Sequence, residues 1–283
     1  IENEVRALVP MVYYHVWDNF PPPEYNGKFY RSTDEIVCIS KVTYECVKAV
    51  HPGGSVRYHP HAVPPVFFKP AKTPEELERV ATLKNQILAK TEAHPNPKKK
   101  IFFWNSRNAR RKQPGTLVWW FKEFLDEVGH DKACLLMHTD ARDPHGQDLP
   151  HLLHHLGITD GQVMLSTNKI GPDELSVMYQ VADYTIGISD AEGFGLSTME
   201  SLTSGTPIIV NMTGGLQEQV TDGTNWFGWG IQPASKSVIG SLEVPYIYED
   251  RMTQQDFTDT MKKALNISPA KYKKMSQAGM QHV

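Results

Sequence analysis

Two glutamates frame a glycine-containing turn in the stretch SDAEGFGLSTMESLTSGTPIIV, residues 189–210. Glu192 precedes the turn, Gly193 and Gly195 lie within it, and Glu200 follows on the helix predicted after it. Glycines let a bound group approach the backbone closely because they carry no Cβ, and free N–H groups at a helix start attract phosphate. A carboxylate at Glu192 would repel such a phosphate. It is better suited to neutral hydroxyls beside the phosphate, such as those of a sugar.

Glu200 lies four residues after Leu196, on the same stripe of the predicted helix. A carboxylate on a half-buried stripe needs hydrogen-bond donors to offset the loss of water. A ribose diol supplies two hydroxyl donors, and acidic residues bind ribose in this way in dinucleotide-binding folds. The turn is therefore predicted to hold a sugar, a diphosphate and a ribose. Either glutamate taken alone is more typical of a solvent-exposed side chain, whereas the whole arrangement of glutamates, glycines and helix favours a binding site.

The surrounding elements alternate between short apolar strands and amphipathic helices. In the first part, strands are predicted at 7–14 and 35–40, a helix at 41–50, and a helix at 73–93 with Thr73 as its N-cap. The proline-rich passage 58–70 excludes a helix. Later strands are predicted at 100–105, 132–139, 161–167, 183–189 and 206–210, with helices at 115–129, 148–157, 172–182 and 196–205 and two more split at Ser268-Pro269. This alternation predicts an α/β fold with doubly wound parallel sheets, that is, Rossmann-like domains.

The passage HPNPKKK, residues 94–100, is typical of a linker. We therefore predict a first domain over residues 1–95 and a second over 96–245, followed by C-terminal helices over 246–283.

Composition excludes several classes of protein. The chain has 283 residues, a net charge of −3 and 40% hydrophobic residues, so nucleic acid is not an expected partner. No apolar run approaches the roughly 20 residues of a membrane span. The three cysteines lack metal-binding or redox spacing, which favours reduced thiols in a cytoplasmic protein.

The segment EGFGLSTMESLTSGTPIIVNMTGGLQEQV resembles the E-x7-E region of retaining, nucleotide-sugar-dependent glycosyltransferases of the GT-B fold, the group 1 family that includes glycogen and sucrose synthases. WNSRNARRKQ is similar to that family's Arg-x4-Lys pattern, and NKIGPDELSVMYQVADY to the segment before the E-x7-E turn. VYYHVWDNF is similar to the strand that carries an active-site histidine. The resemblance implies two Rossmann-like domains that face a cleft. The first is expected to be incomplete at its N-terminus.

The resemblance also implies a role for each matching residue. The implied catalytic residues are His15, Glu192, Arg107 and Lys112, and the implied donor-binding residues are Gly193, Phe194, Gly195, Leu196, Glu200, Asn168, Lys169 and Ile170. Fixed cations such as Arg107 and Lys112 would stabilise the charge that develops on a leaving diphosphate. The implied donor is a UDP-, GDP- or ADP-sugar. The acceptor, whether glycan, lipid-linked or protein, stays open.

Other clusters leave alternatives. His151, His154 and His155 have helical spacing but no accompanying carboxylate or cysteine, so no metal site and metal-independent chemistry are expected. The stretch WDNFPPPEYN, residues 17–26, suits either an acceptor-side loop or simple packing. HAVPP departs from the family's NGVD pattern at His61, Ala62 and Pro64, so no role is carried onto it. A non-catalytic scaffold that binds a nucleotide sugar and a nucleotide-sugar epimerase are the alternatives to a transferase.

Overall fold

Two parallel sheets form the framework of the protein. The computed structural model describes residues 2–91 and 93–283. The first sheet has the order β1-β2-β3, formed by Val12–His15, Glu35–Cys38 and Val56–Tyr58. The second has the order β6-β5-β4-β7-β8-β9, formed by β4 Lys100–Asn105, β5 Ala133–His138, β6 Val163–Ser166, β7 Tyr184–Gly187, β8 Ile208–Asn211 and β9 Gly228–Ile231. The predicted α/β class with two Rossmann-like parallel sheets is confirmed.

Helices connect the strands within both sheets. They are α1 Gly27–Arg31, α2 Lys41–Val50, α3 Pro74–Ala89, α4 Pro114–Val128, α5 Leu149–Leu156, α6 Pro172–Val181, α7 Leu196–Thr203, α8 Leu216–Val220, α9 Gln254–Leu265 and α10 Pro269–His282. Thr73 caps α3 as predicted, because its side chain accepts from the Glu76 N–H and Glu76 reaches back to the Thr73 N–H.

The continuous apolar run in β4 reflects burial on both faces of the second sheet. Phe102 and Trp104 belong to one core cluster with α4 and α9, whereas Ile101 and Phe103 belong to another with α3 and α6. Successive side chains of a strand point to opposite faces, so a strand covered by helices on both sides needs apolar residues at every position.

The register brings the carboxyl ends of the strands together. His15 lies opposite Cys38 in the first sheet, and Asn105 lies opposite His138 in the second. Side chains that follow these strands therefore collect at one edge of each sheet, as expected for ligand sites in parallel sheets.

Several elements differ from the prediction. The strand predicted at 7–14 begins only at Val12, because residues 5–9 form a turn and Pro10 has no N–H to donate to a sheet. The short elements β3, β9, α1 and α8 were not predicted. In β9, Gly228 lies so close to β8 that a Cβ would come 1.9 Å from the Ile208 carbonyl oxygen.

The range predicted as C-terminal helices begins with a strand instead. β11 Ile247–Arg251 pairs with β10 Ser235–Ile239 in an antiparallel hairpin, and α9 and α10 follow it. Both strands are rich in polar residues, so no apolar pattern marked them. The predicted domain boundary near residue 95 falls between the two sheets and stays a prediction.

Candidate functional site

A cavity of about 400 Å³ lies where the carboxyl ends of the two sheets meet. The first sheet contributes residues that follow its strands, and the second contributes residues after β4 and after β7. The lining residues are Val16, Asp18, Ile39, His61, Asn105, Ser106, Arg107, Arg111, Lys112, Glu192, Gly193, Phe194, Gly195, Leu196, Ser197 and Glu200. Most of the predicted site residues therefore share one cavity, which is of a size that small ligands occupy.

Glu192 is the centre of the charged network in this cavity. Its Oε2 accepts a short hydrogen bond from Lys112 Nζ, and Arg111 Nη1 lies 3.6 Å from the same oxygen. Arg111 Nη1 also donates to the Ala191 carbonyl at 2.8 Å. Two cations thus converge on the predicted sugar-binding carboxylate, which places positive charge where a diphosphate beside that sugar would lie.

The glycine turn allows Glu192 to reach this position. Gly195 has φ +93° and begins α7, so the N–H groups of the first helical turn lack intrahelical partners. An added Cβ on Gly193 would come 2.9 Å from Asp18 Oδ1 and 3.2 Å from the Trp17 carbonyl. The turn therefore packs directly against the loop that follows β1, and a larger side chain at Gly193 would require its neighbours to shift.

Glu200 lies on α7 and also lines the cavity. Its Oε2 accepts from the Tyr179 hydroxyl at 2.7 Å, and that hydroxyl accepts from Asn105 Nδ2 at 2.8 Å. Burial raises the pKa of Glu200, although the Tyr179 hydrogen bond acts in the opposite direction. The tyrosine fixes one carboxylate oxygen, which leaves the other for a ligand.

Arg107 lines the cavity but is held by a partner outside it. Its guanidinium donates twice to Asp143, at 2.7 and 3.1 Å, and this contact lowers the Asp143 pKa to about 2. Arg111, which the sequence did not single out, lies closer to Glu192. The basic run Arg110–Lys112 was the signal in the sequence that could have identified Arg111. The Arg-x4-Lys pattern that starts at Arg107 drew attention to Lys112 alone.

His15 does not reach the cavity. It is only 1% exposed, and its Nε2 hydrogen-bonds the Tyr30 hydroxyl at 2.8 Å. The histidine that lines the cavity is His61, whose Nδ1 lies 2.9 Å from the Tyr14 hydroxyl and whose ring contacts Phe194 edge-on. Along β1 successive side chains alternate between faces, so the face that His15 would take could not be read without the sheet.

Burial lowers the pKa of His15 to about 4, and this predicts a pH dependence of stability. The folded-state pKa lies below the unfolded value near 6.5. The contribution of the neutral His15 ring to the free energy of unfolding is therefore complete above pH 6.5 and is lost as the pH falls through 4. Between these pH values, the free energy of unfolding of the wild type is expected to fall by up to about 3 kcal/mol relative to that of His15→Phe.

Urea unfolding at several pH values measures this difference, with the exposed His59→Phe as the control that should follow the wild type. An NMR titration that places the His15 pKa near 6.5 would contradict the assignment.

Three of the predicted donor-binding residues, Asn168, Lys169 and Ile170, lie in a loop at a different cavity. Asn168 and Ile170 line a larger cavity of about 1040 Å³ between α3, β6 and α6, and Lys169 is in the same loop. None of the three lines the cavity that contains Glu192 and Glu200. The structure does not bring this loop together with the other predicted donor-binding residues.

Within residues 2–91 and 93–283, no three His, Cys, Asp or Glu side chains are grouped as metal ligands. His151, His154 and His155 lie on α5, and all three are exposed. The three cysteines are buried free thiols. None of the described helices is both long and apolar enough to cross a membrane.

The comparison with protein families decides how this site is classified. The sequence profile described as glycosyl transferases group 1 matches residues 86–282, about 70% of the chain. The chain belongs to the glycosyl transferases group 1 family. The match covers the cavity residues Asn105–Lys112 and Glu192–Glu200 together.

Curated relatives match shorter stretches. The chain is 34% identical over 102 residues to alpha-monoglucosyldiacylglycerol synthase of Streptococcus pneumoniae, which covers 36% of this chain and 22% of the relative. It is 35% identical over 85 residues to D-inositol 3-phosphate glycosyltransferase of Acidothermus cellulolyticus, which covers 30% and 18%.

Solved structures confirm the GT-B fold. Alpha,alpha-trehalose 6-phosphate synthase of Burkholderia multivorans superposes with a TM-score of 0.74 at 11% identity and covers 99% of this chain and 64% of its own. HepE of Anabaena, in complex with UDP and glucose, superposes with a TM-score of 0.69 at 14% identity and covers 96% and 66%. The chain thus spans about two thirds of the length of these neighbours and aligns with about a fifth of each of the two curated relatives.

Proposed function

We propose that this protein transfers a sugar from a nucleoside diphosphate sugar to an acceptor hydroxyl and retains the anomeric configuration. The observation that carries the proposal is the placement of Glu192, Lys112, Glu200 and the start of α7 around one cavity. A sugar, a diphosphate and a ribose occur in this order in a nucleotide sugar. The complex of HepE with UDP and glucose and the family membership support a donor of this class.

Each group has a defined part in the proposed reaction. Glu192 accepts hydrogen bonds from hydroxyls of the transferred sugar, and Glu200 accepts from the ribose diol. Lys112 and Arg111, with the free N–H groups at the start of α7, stabilise the negative charge of the leaving diphosphate. Arg107 joins them if it exchanges its Asp143 contact for the phosphate.

The proposed step is a displacement on one face of the sugar. The acceptor oxygen bonds to the anomeric carbon as the bond from that carbon to the phosphate oxygen breaks. The acceptor proton passes to the leaving phosphate oxygen. No covalent enzyme intermediate is required, and the contact of Glu192 with Lys112 suits a carboxylate that binds hydroxyls. Because His15 is buried against Tyr30, we give it no catalytic part.

Thermal unfolding with UDP, GDP, ADP and their glucose and mannose conjugates tests donor binding. A ligand at a hundred times its dissociation constant adds roughly 2.7 kcal/mol to the free energy of unfolding. We therefore expect the matching nucleotide to raise the midpoint of thermal unfolding by roughly 5–10 °C. Product analysis with a labelled donor then tests transfer: label on an acceptor supports a transferase, whereas donor conversion without an acceptor would indicate an epimerase. Nucleotide binding with neither reaction would indicate a non-catalytic scaffold.

Lys112→Ala is expected to lower the transfer rate by about 100- to 1,000-fold, the usual cost of removing a group that stabilises developing charge. Lys122→Ala is the matched control, since Lys122 pairs with Asp126 on α4 outside the cavity. Equal rates for the two variants would remove Lys112 from the mechanism. The cytoplasmic location and metal independence stay predictions.

A further inference from the structure

The first-sheet wall of the cavity carries two polar side chains that the proposed donor contacts do not use. Asp18 follows β1 and His61 follows β3, and both line the cavity together with Val16 and Ile39. Asp18 lies against Gly193, and His61 contacts the ring of Phe194.

Asp18 is held in place by its neighbours and not by its own carboxylate. The Trp17 carbonyl accepts from Thr43 Oγ1 at 3.1 Å, and Asn19 Nδ2 donates to Asp250 Oδ2 at 2.7 Å and to Thr213 Oγ1 at 3.1 Å. Trp17 and Asn19 are both buried. The loop is therefore fixed on both sides of Asp18.

The Asp18 carboxylate has unused hydrogen-bonding capacity. Its nearest cation is Arg111, whose Nε lies 3.7 Å from Oδ2, and the side chain is 29% exposed. No residue of the described part donates a hydrogen bond to it within hydrogen-bonding distance. An ionised carboxylate accepts up to about four hydrogen bonds, and burying one without donors costs free energy. Asp18 is thus suited to a ligand that supplies hydroxyl donors.

His61 adds a second polar contact, and this one is uncharged. Its Nδ1 lies 2.9 Å from the Tyr14 hydroxyl, which leaves Nε2 as the ring nitrogen for another partner. Burial lowers the pKa of His61 below its usual value near 6.5. The ring is therefore neutral at pH 7 and can exchange hydrogen bonds with a hydroxyl.

We propose that Asp18 and His61 form the acceptor subsite, and that the part of the acceptor bound there is an uncharged polyhydroxyl group, a sugar or polyol, whose hydroxyls beside the attacking one donate to Asp18. This inference rests on the proposed transferase function. Hydroxyls satisfy both side chains, whereas a phosphate on the acceptor would meet the Asp18 carboxylate directly. The lining cations Arg107, Arg111 and Lys112 all belong to the second sheet's side, where the donor diphosphate would bind.

The test measures nucleotide release from the nucleotide sugar that stabilises the protein, above the background with water. The probes are two matched pairs, D-glucose with glucose 6-phosphate and glycerol with glycerol 3-phosphate, together with maltose and myo-inositol. We expect at least one neutral probe to accelerate release and its phosphorylated partner to do so at least tenfold less.

Variants separate acceptor binding from stability and donor binding. Asp18→Asn is expected to raise the KM for the neutral probe at least tenfold, and His61→Ala by a smaller factor, while nucleotide affinity stays within about twofold of the wild type. Asp160→Asn and His59→Ala, both exposed and outside the cavity, are the matched controls and should leave this KM unchanged.

Three results would overturn the inference: a phosphorylated probe that works as well as its neutral partner, no acceleration by any neutral probe, or an unchanged KM in Asp18→Asn. With nucleotide stabilisation intact, these results leave the donor function standing. Absence of stabilisation by every nucleotide would overturn both proposals.

Discussion

Glu200→Gln is expected to weaken nucleotide binding by roughly 30- to 150-fold. A ribose diol would donate two hydrogen bonds to the carboxylate, and the amide replaces one acceptor oxygen by a donor. Hydrogen bonds to a charged group are worth about 1.5–3 kcal/mol, so a loss of about 2–3 kcal/mol corresponds to this factor. Isothermal titration with the nucleotide that stabilises the wild type measures it.

The amide keeps one acceptor oxygen for the Tyr179 hydroxyl, so the free energy of unfolding should change by less than about 1 kcal/mol. The control is Tyr179→Phe, which removes the hydroxyl at 2.7 Å from Glu200 but keeps the carboxylate. A further check uses the 2′-deoxy nucleotide, which the wild type should bind more weakly than the ribonucleotide. If Glu200→Gln still discriminates between the two sugars, Glu200 does not bind the ribose.

Gly214→Ala is expected to destabilise the protein by about 3 kcal/mol or more. Gly214 has φ +47°, and an added Cβ would come 2.0 Å from the Glu192 carbonyl oxygen and 2.3 Å from the Asp18 carbonyl oxygen. Both obstacles are backbone atoms, which cannot rotate away as a side chain can. The substitution would therefore separate the turn at Glu192 from the loop at Asp18, and nucleotide stabilisation should be lost as well.

Gly223→Ala is the matched control for backbone strain. Gly223 has φ +92°, and no atom lies within 4 Å of an added Cβ. In Gly223→Ala, only the left-handed backbone conformation is unfavourable, and it lowers the free energy of unfolding by about 1–2 kcal/mol. Urea unfolding of both variants measures the difference. Equal losses would show that the contact between the turn and the β1 loop contributes nothing.

The second sheet was predictable because its strands are buried on both faces and its helices have clear start signals. Lys100–Asn105 has the predicted bounds, and Pro74–Ala89, which packs on this sheet, begins after the predicted cap. Continuous apolar runs and capping residues are local properties, so they can be recognised from the sequence alone. The polar hairpin β10–β11 carries no such pattern and was missed.

The sequence alone also determined the local unit that carries Glu192 and Glu200. Glu192, the glycines and Glu200 belong to one strand–turn–helix unit, whose geometry follows from its own residues. Lys112 was predicted as a site residue from the family resemblance of its segment, and the structure places it against Glu192. Glu192 and Glu200 are close in sequence, so their association needs little tertiary information, whereas Lys112 is 80 residues from Glu192 and only the fold brings the two together.

Only the tertiary structure decided which residues of the first sheet reach the cavity. The resemblance favoured His15 and gave His61 no role, but β1 directs His15 toward Tyr30, whereas the loop after β3 directs His61 to the cavity. Asp18 lies close to Gly193, although the two residues are 175 positions apart in the chain. The approach of two sheets depends on packing between distant segments, and no local pattern of residue types encodes it.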